Sequence, residues 1–97
     1  MGDLSDRFEP AMLAAVARDQ APEFPWLSHA LENCGAGTWE SDVYVRYVSG
    51  RAANLPGAEW QFEKNVVLEH PDFGTVVVDV LTAHRLGGLE FLSRIQA

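Results

Sequence analysis

The sequence is poor in cysteine, in basic side chains and in long apolar runs, and each shortage excludes something. One cysteine, Cys34, stands among 97 residues. No disulfide can form within the chain, and a free thiol fits a reducing cytoplasm. Seven Lys and Arg stand against fourteen Asp and Glu, giving a formal net charge of −7. That balance argues against nucleic acid as the main partner, because phosphate binding needs clustered cations. No apolar run approaches the length of a bilayer span, and the opening Met1-Gly2-Asp3-Leu4-Ser5-Asp6-Arg7 lacks a basic-then-apolar signal pattern. The expectation is a cytoplasmic chain without membrane contact. The length is too short for a doubly wound nucleotide-binding fold or a barrel enzyme.

What is present suits a single folded domain over residues 1–97, with 47% apolar residues. Residues 1–37 read as helical. Phe8, Met12, Ala15 and Val16 recur at helical spacing, which predicts a helix over Phe8 to Arg18 with Asp6 as its cap. Pro25 opens a second helix, whose apolar stripe is Leu27, Ala30, Leu31 and Cys34, and Gly35 is its left-handed stop.

From Thr38 the period changes to two, and residues 38–97 read as strands. Trp39 to Tyr47 alternates, with Trp39, Val43, Val45 and Tyr47 on one face and Glu40, Asp42 and Arg46 on the other. Glu59 to Glu69 repeats the pattern, with Lys64 breaking the apolar row. Thr75 to Leu81 is a Val-rich strand interrupted by Asp79. A short turn at Thr82 to His84 leads to a last strand over Arg85 to Ile95, where Gly87-Gly88 suggests a bulge or a close backbone approach. Short connections favour antiparallel pairing. The expected architecture is α+β: two N-terminal helices packed on one face of a four-stranded antiparallel β-meander.

Three pieces of this strand region are Asp42-Val43-Tyr44-Val45, Val78-Asp79-Val80 and Arg85-Leu86-Gly87-Gly88-Leu89-Glu90. Together they resemble an uncharacterised family of short bacterial β-meander proteins with the pattern Asp-x-x-Tyr, then an aliphatic-Asp strand, then Gly-x-x-x-Gly-Ile-Glu. The resemblance runs from Thr38 to Ile95 and implies a fold, not an activity. Two departures stand out. The first piece is one residue shorter, and Ala83-His84 replaces the Asp-Gly turn usual before the last strand. In size, charge and architecture the chain is also similar to the small acidic immunity proteins of bacterial polymorphic-toxin systems.

Few residues suggest chemistry. Cys34 with His29, His70 or His84 would make a nucleophile and base, but its place at the end of an apolar stripe reads as packing. The three histidines with Asp72 or Asp79 match no metal-ligand spacing, so neither metal nor cofactor is expected. Asp79 and Glu90 are a candidate acid–base pair, set against a structural role in which Asp79 meets a backbone N–H or Arg85.

The strongest feature is an acidic row. If the second strand pairs with the first as a hairpin, Glu40, Asp42 and Tyr44 share a face with Glu59, Gln61, Glu63 and Glu69. Like charges across strands cost stability, and such a patch would steer a basic partner. A plain solvated face is the equal alternative. The expectation is therefore a non-catalytic protein-binding module, an immunity or antitoxin protein covering a basic toxin. The alternatives are a homo-oligomer (a homodimer through an edge strand or its tryptophans) and a small hydrolase or ligand-binding protein using Asp79, Glu90 and a histidine.

Overall fold

A computed structural model of the protein describes residues 8–48 and 62–94. A 3-10 turn, Pro10–Leu13, runs into helix α1, Ala14–Gln20. Pro10 takes the first position, where no helical N–H is needed, and alanines supply the best helix-forming side chains. Helix α1 stops at Ala21, whose backbone leaves the helical region at φ −129° and ψ 57°. The ring of Pro22 disfavours helix in the residue before it. Helix α2, Trp26–Asn33, opens after Pro25 and ends at Cys34. Gly35 then takes the expected left-handed conformation, with φ 76°. The expected cap, Asp6, lies outside the described residues.

The sheet is antiparallel and packs with two helices, as expected of an α+β chain, but among the described residues it has five strands rather than four. They are β1 (Thr38–Trp39), β2 (Tyr44–Arg46), β3 (Phe62–His70), β4 (Gly74–Leu81) and β5 (Arg85–Phe91), in the order β1-β2-β5-β4-β3. The extra strand arises because Glu40 to Val43 leave the ladder. The N–H of Glu40 donates to the carbonyl of Tyr44 at 2.9 Å, and Ser41 Oγ accepts the N–H of Val43 at 3.2 Å. A serine that captures a nearby backbone donor favours a turn over a strand. The hairpin pairs Trp39 with Val45, so the odd residues still share a face although the chain has reversed.

The order is also not a simple meander. β3, β4 and β5 are joined by hairpins, and β2 lies beside β5, a Greek-key arrangement read from the C-terminal end. β2 and β3 are therefore not neighbours.

One face of the sheet carries Val45, Val66, Leu68, Val76, Val78, Val80, Leu89 and Phe91, all buried in one core with Leu13, Ala17, Leu27 and Leu31 from the helical layer. Phe91 is central: it meets Phe8 edge-on at 4.9 Å and stacks on Trp39 at 5.9 Å. Lys64 points to the helical side, with Nζ 4.6 Å from the centre of the Phe24 ring. At the outer edge of β3, Gln20 Nε2 donates to the carbonyl of Glu69 and Gln20 Oε1 accepts its N–H, both at 2.8 Å. Among the described residues no helix is long and apolar enough to cross a membrane.

The turn between β4 and β5 is strained. Ala83 and His84 both have positive φ, at 62° and 56°, a conformation that costs a side-chain-bearing residue about 1–2 kcal/mol. The His84 ring stacks on Trp26 of α2 at 4.3 Å, nearly parallel, and this contact holds the turn. Ala83→Gly is accordingly expected to raise stability by about 1 kcal/mol, measured by urea unfolding.

Candidate functional site

The face of the sheet away from the helices carries a polar row and a mixed one. Asn65, Asp79, Gly88 and Arg46 run across β3, β4, β5 and β2, with Val67, Val77, Glu90 and Tyr44 beside them. Tyr44, Asp79 and Gly88, from three separate stretches of the sequence, meet here. The Tyr44 ring crosses Gly88, where an added Cβ would stand 2.5 Å from Tyr44 Cζ. Only a bare backbone lets the ring lie that close. Tyr44 Oη donates to Asp79 Oδ2 at 3.1 Å, and Asn65 Nδ2 donates to Asp79 Oδ1 at 2.6 Å. Asp79 thus meets a tyrosine and an asparagine rather than a backbone N–H or Arg85.

Burial pushes the Asp79 carboxyl above its ordinary pKa, against the two hydrogen bonds, which lower it. The Tyr44 phenol is pushed up to about 12, first by burial and then by the charge and hydrogen bond of Asp79, with smaller effects from Glu40 and Glu90. Among the described residues no cation pairs with Asp79. Arg46 is a cation on this face, and it is already engaged: Nη1 donates to the carbonyl of Val48 at 2.7 Å, and Nε lies 3.2 Å from Glu40 Oε1. That Nε makes no aligned hydrogen bond, so the Glu40 contact is one of charge.

Among the described residues the expected contiguous acidic row does not form. Its premise was a hairpin between β2 and β3, and two strands separate them. Glu40, Asp42 and Tyr44 belong to the β1–β2 side, with Asp42 exposed in the turn. Glu63 and Glu69 belong to β3 at the opposite edge, and Glu69 accepts Thr75 Oγ1 at 2.8 Å. Glu59 and Gln61 lie outside the described residues. Of the expected binding residues, the structure gathers Tyr44 with Asp79 and Asn65. Asn65 was missed: its polar side chain looked like ordinary strand alternation. The signal available was the interruption of an apolar strand by Asp79, which required a partner.

The other candidates are dispersed. Glu90 is diagonal to Asp79 on the neighbouring strand, but the histidines are elsewhere: His29 is exposed on α2, His84 stacks on Trp26, and His70 Nδ1 accepts the N–H of Asp72 at 2.9 Å. Cys34 caps α2, with Sγ donating to the carbonyl of Leu31 at 3.6 Å, and burial raises its pKa. A raised pKa lowers the thiolate fraction that nucleophilic attack needs. Among the described residues no three His, Cys, Asp or Glu side chains gather as metal ligands would. Comparison with protein families, with curated proteins and with solved structures finds no match to this chain.

Proposed function

We propose that this protein is a non-catalytic binding module that docks the open face of its sheet on a basic partner, in the manner of a bacterial immunity or antitoxin protein covering a toxin. One observation carries the reading: Asp79 is half-buried, held by Tyr44 and Asn65, and faces no cation among the described residues. A carboxylate drawn out of water without a counter-charge is costly, and a Lys or Arg head from a partner would offset that cost. Tyr44 and Asn65 fix the carboxylate before the partner arrives, so little ordering is lost on binding. Val77 and the 55%-exposed Val67 add an apolar strip beside it, and Glu90 and Glu69 extend the negative field that speeds encounter.

The linkage gives a test that separates binding from folding. A carboxyl whose folded pKa lies above its unfolded value favours the folded state while protonated, and that contribution is lost as pH rises past about 4. Asp79→Asn removes the penalty. The variant should be at least as stable as the parent at neutral pH and should lose that advantage in acid. Its affinity for a basic partner should fall by about tenfold or more, and Glu90→Lys should slow association. The measurements are urea unfolding at two pH values and calorimetric titration with the basic protein captured from the native host. A captured partner that binds the parent, Asp79→Asn and Glu90→Lys alike would overturn the reading.

A further inference from the structure

A second concave site lies on the helical side of the sheet and does not depend on the open face. The 3-10 turn, the C-terminal end of α2 and the β1–β2 hairpin border an open pocket of about 560 Å³, within the size range of small-molecule sites. Phe8, Trp39 and Tyr47 line it, and so do Glu9 and Glu32. Among the described residues no Lys, Arg or His belongs to its lining. A Cβ on Gly37 would stand 2.7 Å from Tyr47 Cε1, so the bare backbone at Gly37 makes room for the Tyr47 ring in this wall.

Three negative contributions converge on this space. Glu9 has no ion pair among the described residues. Glu32 reaches Arg18 only at 3.8 Å, with both side chains about half exposed, a geometry that neutralises little. Helix α2 ends here through Leu31, Glu32 and Cys34, and its last turn holds no basic residue. No cation in its last turn offsets the carbonyl end of its dipole; the side-chain donors there are neutral, the Asn33 amide to the carbonyl of His29 at 2.8 Å and the weak Cys34 thiol to that of Leu31.

Aromatic faces joined to a negative field select a cation with an apolar body. We infer that this pocket binds a small organic ammonium ion, with its alkyl groups against Trp39, Tyr47 and Phe8 and its charge towards Glu9, Glu32 and the end of α2. Binding needs no covalent step, and Cys34 serves as a reporter because it lines the same space.

The test compares choline with its neutral isostere, 3,3-dimethyl-1-butanol, at matched ionic strength. Choline should give a saturable change in tryptophan fluorescence that is lost in Trp39→Phe, and it should slow alkylation of Cys34 by iodoacetamide. The double variant Glu9→Gln/Glu32→Gln alters two exposed side chains and should retain the fold, but bind choline about fivefold more weakly. Equal protection of Cys34 by the neutral isostere would overturn the proposal. So would unchanged choline binding in the double variant, or no saturation in the parent into the high millimolar range. None of these outcomes bears on the open-face partner, so the two readings fail separately.

Discussion

Phe91→Ala is expected to remove about 3–5 kcal/mol of stability. Phe91 is fully buried, and its ring lies among Phe8, Phe73 and Trp39. Those rings come from the N-terminal segment, the β3–β4 turn and β1, so no single element can shift to fill the space. The loss therefore includes both the transfer of the ring and the cavity left behind. Folded domains hold only about 5–15 kcal/mol in all, and a chain of this size lies towards the lower end. Urea unfolding should show a much lower midpoint with an unchanged slope. Leu92→Ala, one residue on and 38% exposed, should change stability by less than about 1 kcal/mol. Equal effects at the two positions would mean that Phe91 is not where the layers join.

Gly88→Ala is expected to cost about 1–3 kcal/mol and to break the contact between Tyr44 and Asp79. The new methyl would occupy the space of the Tyr44 ring. Ring atoms close to backbone cannot give way by bending a flexible tip, so the side chain must swing off the face. The phenol then returns to water and titrates near its ordinary value of about 10. In the parent protein the Tyr44 phenol is held up at about 12, and burial raises Tyr47 as well. A phenol with a folded pKa above its unfolded one supports the fold fully below pH 10, and that support drains away as pH climbs through about 12. Absorbance at 295 nm should thus show no tyrosinate step near pH 10 in the parent and one such step in Gly88→Ala. Tyr44→Phe keeps the ring over Gly88 and removes only the donor, at a cost of about 1–2 kcal/mol. An unchanged alkaline titration in Gly88→Ala would show that the ring does not lie where described.

Much of the fold was readable because apolar spacing reports which face a residue takes. Val66, Leu68, Val76 and Val78 fall on the core side as their alternation requires. Gly35 stops α2, and the ladder between β4 and β5 shifts register beside Gly87. The same signal is silent about neighbours. A strand that alternates fits equally well beside any other, so nothing in Tyr44 to Arg46 announces that β5 rather than β3 lies alongside. The β1–β2 reversal escaped notice for a related reason: pairing Trp39 with Val45 preserves parity across the turn. The candidate site suffered most, because an acidic row depends on adjacency. Asp79 was visible as an anomaly in an apolar strand, but its partners Tyr44 and Asn65 come from strands on either side, thirty-five and fourteen residues away in sequence.

The amide of Gln20 has a consequence for how these molecules behave in a crowd. β3 is the longest strand and forms one border of the sheet, the kind of margin along which proteins zip into fibres. At Glu69 both main-chain groups are already taken by a side chain that imitates an adjoining strand. Farther along, Lys64 turns its charge inward and the ladder slips out of step between Phe62 and Lys64. An incoming strand would meet a plug at the Glu69 end, and a half-buried cation beside a broken register at the other. At both ends, then, this margin is a poor template for another strand.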